Sequence, residues 1–108
     1  MKQALKRLLQ AAGYNPEIFD CAEALLRSGA GREAACLVFD IRLPGLSGIE
    51  LLERLKKAGP SPPVIFITAN DDPAVREEAE RAGAIAYFTK PFPGRSLLAA
   101  IKSVLASK

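Results

Sequence analysis

The fold is decided by residues 35–48, which read ACLVFDIRLPGLSG. An apolar run ends at Asp40, and a turn rich in proline and glycine follows it. A run of this kind without polar alternation predicts a strand that is covered on both faces, as in the parallel sheets of α/β proteins. A carboxylate directly after such a strand lies at the carboxyl edge of the sheet, where open α/β folds bind their ligands. Asp40 is therefore the first candidate functional residue.

Helical and extended patterns alternate along the rest of the chain. Apolar residues at helical spacing predict helices over 2–12, 21–28, 48–57 and 73–82, and a last helix with Leu97, Leu98, Ile101, Val104 and Leu105 on its inner side. Short apolar runs predict strands over 17–19, 35–40, 64–68 and 85–88. Ser47 and Glu50 form a capping box, and Asp72-Pro73 is a cap followed by a proline at the first helical position. This alternation predicts one α/β domain with a parallel sheet of four strands.

Two later strands end at residues that complement Asp40. Thr68 ends the run VIFIT, and Lys90 follows the last predicted strand. The carboxyl ends of parallel strands meet at one edge of a sheet, so we expect these three residues to converge. A carboxylate can attack phosphorus to form an acyl phosphate, while an ammonium and a hydroxyl can bind the phosphoryl oxygens. The sequence therefore predicts a site for phosphoryl chemistry.

The chain closely resembles the receiver domain of two-component response regulators. The resemblance covers nearly the whole chain and rests on four motifs: Asp40 to Gly48, Thr68-Ala69-Asn70, Ala82-Gly83-Ala84 and Tyr87-Phe88-Thr89-Lys90-Pro91-Phe92. It implies a three-layer α/β/α, flavodoxin-like fold in a protein that is not an enzyme. It also implies that Asp40 accepts a phosphoryl group from a histidine kinase or phosphotransfer protein, and that a protein-interaction face switches in response.

The same resemblance assigns roles to individual residues of the site. It implies that Asp40 and the backbone carbonyl of Arg42 bind Mg²⁺. Thr68 and Tyr87 would be the paired switch residues, with Ala69 next to the phosphate, and Lys90 would contact the phosphate. The Lys90–Pro91 peptide would be cis, which an X-Pro bond allows at modest cost.

The chain departs from the family at its start. A receiver begins with an apolar strand that ends in two acidic residues, whereas residue 2 here already matches the first helix. We therefore expect a single receiver-like domain over 1–108 that lacks its first strand and an output domain, with Mg²⁺ binding weak or absent. Three explanations stay open. The chain is a shortened receiver that pairs with another chain, a degenerate receiver that repacks, or a truncated product of a longer protein.

Other functions are weighed against the receiver interpretation. A degenerate module that is not phosphorylated would serve protein–protein interaction or dimerisation. The edge left by the missing strand favours a homo-oligomer, most simply a dimer. Phosphatases of the haloacid dehalogenase type also use a strand-end aspartate, but they carry a second aspartate two residues later. Arg42 stands at that position here, which disfavours an enzyme of this type.

The composition of the chain disfavours or excludes several other classes of function. The formal net charge is +3, and the basic residues are scattered and interrupted by acids, so we expect no direct nucleic-acid binding. No apolar run reaches the length of a membrane span. The chain has no histidine, which excludes imidazole catalysis and imidazole metal ligands within it. Cys21 and Cys36 follow no metal spacing and are expected to be reduced thiols of a cytoplasmic protein.

Overall fold

The computed structural model describes residues 2–16, 22–28, 35–41, 47–59, 62–69, 72–90 and 92–106. From Leu37 onward, strands and helices alternate as predicted. The helices are α1 (Lys2–Ala11), α2 (Ala22–Ser28), α3 (Gly48–Lys57), α4 (Pro73–Ala82) and α5 (Gly94–Ala106), and the strands are β1 (Leu37–Asp40), β2 (Val64–Thr68) and β3 (Ala86–Thr89). None of these described helices has both the length and the apolar character needed to cross a membrane. The predicted strand over 17–19 lies outside the described residues.

The described sheet is parallel and has the order β1-β2-β3. Leu37 pairs with Val64 at the start of the β1–β2 ladder, and Ile65 pairs with Ala86 at the start of the β2–β3 ladder. Every residue of β2 is buried, with at most 3% of its surface exposed. The run VIFIT therefore forms a central strand with both faces covered, as its continuous apolar character predicts.

Helices cover both faces of this sheet and form two hydrophobic clusters. On one face, Phe66 and its neighbours pack with buried leucines of α2 and α3 and with Ala79 of α4. On the other face, Ile65 packs with Leu97 and Ile101 of α5 and with half-buried leucines of α1. The architecture is thus the predicted three-layer α/β/α arrangement.

The outer strands are less buried than their sequences predict. Only the first residue of β1 is buried, and all residues of β3 are half-buried. In the described sheet β1 and β3 lie on either side of β2, and each has β2 as its one described neighbour. Their side chains are therefore less covered than those of β2. Ile85 was predicted to be in the third buried strand, but it precedes β3 and is 47% exposed. The predicted bounds 85–88 are wrong by one residue because the ladder with β2 runs from Ala86 to Thr89.

Local hydrogen bonds determine where the central helices begin and end. Ser47 Oγ accepts from the backbone N–H of Glu50 at 3.1 Å, which confirms the predicted cap of α3. Asp72 Oδ1 accepts from the backbone N–H of Ala74 at 3.0 Å and caps α4. Gly83 ends α4 with φ of +103°, a left-handed conformation that glycine adopts without steric cost. Ala12, predicted to lie in the first helix, instead follows α1 and is exposed.

We expect Ser47→Ala to lower the free energy of unfolding by about 0.5–2 kcal/mol, because it removes the oxygen that caps α3. Urea denaturation followed by circular dichroism measures this loss. Ser103→Ala is the matched control, since Ser103 is exposed within α5 and alanine favours a helix. Equal unfolding midpoints for Ser47→Ala and the parent chain would contradict the role of the cap.

Candidate functional site

The carboxyl edge of the sheet brings Asp40 and Lys90 into direct contact, as predicted. Lys90 Nζ donates a hydrogen bond to Asp40 Oδ2 at 2.8 Å. Asp40 ends β1 and Lys90 follows β3, so the contact reaches across the end of β2. The backbone N–H of Lys90 also donates to the carbonyl of Thr68 at 2.7 Å and holds the lysine at the end of the β2–β3 ladder.

The Asp40–Lys90 ion pair positions the two charges more than it stabilises the fold. The side chain of Lys90 is 26% exposed and that of Asp40 is 30% exposed. Solvent screens a pair at this exposure, and such pairs contribute about 1 kcal/mol or less. Breaking this ion pair therefore costs little free energy, and either group can bind a new partner.

Thr68 lies between these two residues, at the end of the central strand. It is 3% exposed and pairs in register with Thr89 of β3. Ala69 follows directly and is exposed at the same edge. The structure thus places Asp40, Thr68 and Lys90 at three adjacent strand ends, as the sequence predicts.

Tyr87 lies on the same face of the sheet as Thr68, at the next position of that face further from the carboxyl edge. It pairs in register with Phe66, two residues before Thr68, and side chains two residues apart on a strand share a face. Its phenolic oxygen is buried, so the ring faces inward. The guanidinium of Arg76, on α4, lies over the ring with Cζ at 4.7 Å from the ring centroid. Sequence reasoning missed this arginine, because nothing in its spacing within α4 indicates a contact with β3.

Gly48 at the start of α3 packs closely against the backbone at the end of β1. Its N–H donates to the carbonyl of Ile41 at 2.6 Å. A Cβ at this position would lie 2.6 Å from the carbonyl oxygen of Asp40 and 3.0 Å from Cα of Ile41. Only a glycine lets the helix pack this closely against the end of β1. The capping box locates Gly48 in the sequence, but it does not reveal this contact.

The described residues do not fit a Mg²⁺ site by themselves. Among them no group of three or more His, Cys, Asp or Glu side chains is placed to hold a metal ion. The ion needs an octahedral set of oxygen ligands, whereas the described edge offers the carboxylate of Asp40, whose Oδ2 contacts Lys90. Arg42, whose backbone carbonyl is the other predicted ligand, and Pro91, of the predicted cis peptide, lie outside the described residues.

A three-layer α/β/α fold with an aspartate, a threonine and a lysine at adjacent strand ends agrees with the class of protein that the sequence resembles, the receiver domain. The family described as "Response regulator receiver domain" matches residues 1–102. The chain therefore belongs to this family, the receiver domains of two-component systems.

Individual relatives agree with this assignment. The chain is 38% identical to the transcriptional regulatory protein FixJ of Bradyrhizobium diazoefficiens over 105 residues, which cover 97% of the chain and 51% of the relative. It is 36% identical to the response regulator protein TodT of Pseudomonas putida over 103 residues, or 95% of the chain and 45% of the relative. The chain thus spans about half the length of these curated relatives.

Solved structures show the same fold. A CheY-like response regulator receiver domain protein from Methanospirillum hungatei has a TM-score of 0.88 and 33% identity, covering 98% of this chain and 85% of that one. The response regulator StyR has a TM-score of 0.89 and 41% identity, covering 99% of this chain and 54% of that one. The predicted flavodoxin-like receiver fold is confirmed.

We expect Gly48→Ala to lower the free energy of unfolding by about 1–3 kcal/mol, because the new methyl group overlaps the backbone of Asp40. The gain of about 0.5–1 kcal/mol in helix propensity is too small to offset this. Urea denaturation measures the difference. Gly94→Ala is the control, since its Cβ would meet only side-chain carbons of Leu8, at 3.1 Å, which can shift. A Gly48→Ala variant as stable as the parent would show that the loop accommodates the methyl group.

Proposed function

We propose that this chain is a phosphoacceptor receiver that takes a phosphoryl group on Asp40 from a phosphohistidine of a histidine kinase or phosphotransfer protein. The contact of 2.8 Å between Lys90 Nζ and Asp40 Oδ2 carries the proposal, because it puts a cation where a phosphoryl group on Asp40 would place its oxygens. Membership of the receiver family supports the same role.

In the proposed step a carboxylate oxygen of Asp40 attacks the phosphorus of the donor. An O–P bond forms, the P–N bond to the donor histidine breaks, and the electron pair of that bond goes to the imidazole nitrogen. The product is an acyl phosphate on Asp40 and a free histidine on the donor. Lys90 neutralises negative charge on the phosphoryl oxygens as its pairing with the free carboxylate ends. No step is assigned to Mg²⁺, because the described residues do not fit its ligand set.

The hydroxyl of Thr68 would then carry the signal away from Asp40. Thr68 is 3% exposed at the end of β2, and its hydroxyl would donate a hydrogen bond to the phosphoryl group. Tyr87 lies on the same face and contacts α4 through Arg76. A change at Thr68 would therefore alter the outer surface formed by α4, β3 and α5, and the affinity of that surface for a partner.

A second candidate is a receiver-like module that is not phosphorylated and serves dimerisation or other protein–protein contacts. The specific observation in its favour is that Asp40 and Lys90 already neutralise each other, with no further carboxylate cluster among the described residues. Strand-to-strand pairing would be one way for such a module to join a second chain.

We expect acetyl phosphate to label the chain with one phosphoryl group, slowly, and Asp40→Asn to abolish the label. Intact mass spectrometry after incubation with and without Mg²⁺ measures both. Asp72→Asn is the control, because Asp72 is an exposed carboxylate that caps α4 and asparagine also caps a helix. A parent chain that takes no label at any Mg²⁺ concentration would favour the interaction module, and a label that survives in Asp40→Asn would contradict the assigned residue.

We expect Thr68→Val to keep the label but to lose the response to it, because valine preserves the shape of the side chain and removes the hydroxyl. Amide chemical shifts of β3 and α4, recorded with and without acetyl phosphate, measure this response. Thr89→Val is the matched control. The Thr89 hydroxyl is buried with no hydrogen-bond partner in the described part of the chain, so its removal breaks no bond. Equal shift changes in Thr68→Val and the parent chain would eliminate Thr68 as the switch.

A further inference from the structure

We propose that Arg76 is a positioning residue that holds Tyr87 in its inward orientation. The switch role of Tyr87 rests on the proposed function, whereas the contact with Arg76 is a separate property of the chain. The guanidinium of Arg76 thereby links α4 to the strand that ends beside Lys90.

The geometry of the contact places the cation on the solvent side of the ring. Arg76 Cζ lies 4.7 Å from the ring centroid of Tyr87, within the distance at which a cation is attracted to the face of an aromatic ring. Arg76 is exposed, while the phenolic oxygen of Tyr87 is buried. In the proposed arrangement the arginine covers the ring from outside, and an outward turn of the ring would displace it.

The packing around Tyr87 leaves space beside its ring. A cavity of about 80 Å³ lies beside Tyr87, and it is lined by Ala79, Glu80, Ala84, Ile85 and Ala86. Most of these side chains are small, so they leave space next to the ring. The cation–π contact then has a larger share in deciding which rotamer of Tyr87 is populated.

The two arginines of α4 have different surroundings. Arg81 pairs with Glu77 at 3.5 Å, and both side chains are about 70% exposed in this pair. The guanidinium of Arg76 lies over the aromatic ring of another element. Arg81 is therefore a matched control of the same charge on the same helix, without a contact to Tyr87 in the described structure.

A consequence for regulation follows from linkage. A partner whose acidic groups bind the Arg76 guanidinium would remove it from the ring and release Tyr87. In return, a change in the orientation of Tyr87 would change the affinity of Arg76 for that partner. Such coupling acts equally in both directions. Arg76 would thus connect the inner face of β3 with the outer face of α4.

The experiment uses tyrosine fluorescence. The chain has no tryptophan and two tyrosines, so Tyr14→Phe leaves Tyr87 as its only strong intrinsic fluorophore. In this background we expect Arg76→Met to increase the outward population of Tyr87 about two- to fivefold, since methionine keeps the unbranched stem but removes the cation. Acrylamide quenching then rises, whereas Arg81→Met leaves quenching unchanged and Arg76→Lys, which keeps the charge, restores part of the protection.

The outcomes separate this inference from the proposed function. Quenching is measured without a phosphoryl donor, so a chain that fails to label on Asp40 would lose its receiver role while the test of Arg76 still stands. Circular dichroism melts of the same variants confirm that quenching reports a local change. Equal quenching in Arg76→Met and its parent, or an equal rise in Arg81→Met, would overturn the proposal. Arg76→Gln provides a second neutral variant if Arg76→Met does not fold.

Discussion

Strand β2 hydrogen-bonds to β1 along one edge and to β3 along the other, and its side chains are buried on both faces. This double parallel pairing determines where both neighbouring strands end. Asp40 pairs with Ile67, and Thr89 pairs with Thr68, so the two ladders stop within one residue of each other. The carboxylate and the ammonium of the site meet because of this common end, although fifty positions separate Asp40 from Lys90 in the sequence.

The site combines a firmly held backbone with weakly paired side chains. Gly48 packs against the carbonyl of Asp40 so closely that a methyl group does not fit, which restricts the backbone at the end of β1. The Asp40–Lys90 pair is partly exposed and worth about 1 kcal/mol or less, a small part of the roughly 5–15 kcal/mol that stabilises a domain. A proposed phosphoacceptor needs both properties, because its atoms must be in place while its counter-ion remains exchangeable.

Local sequence predicted the bounds of α3, β2 and α4, whereas the prediction began β1 at Ala35 and the strand begins at Leu37. The bounds of β2 and α4 agree with the prediction, because continuous apolar runs and the Asp72-Pro73 cap act within a few residues. Burial of the outer strands was predicted less well. An apolar run such as that of β1 indicates a strand, but how many neighbours cover it depends on the order of strands in the sheet. The start of β3 was misplaced for a related reason, since its first residue is defined by pairing with Ile65.

The sequence by itself predicted the class of the protein, through motifs that resemble those of receiver domains, and the convergence of Asp40, Thr68 and Lys90. The convergence was predictable because parallel strands bring their carboxyl ends to one edge whatever the details of packing. Only the tertiary structure decided the fit of Gly48 beside Asp40 and the placement of Arg76 over Tyr87. These contacts depend on distances of a few ångströms between elements that pack against each other, β1 with α3 and α4 with β3. No residue pattern within a single helix or strand encodes such distances.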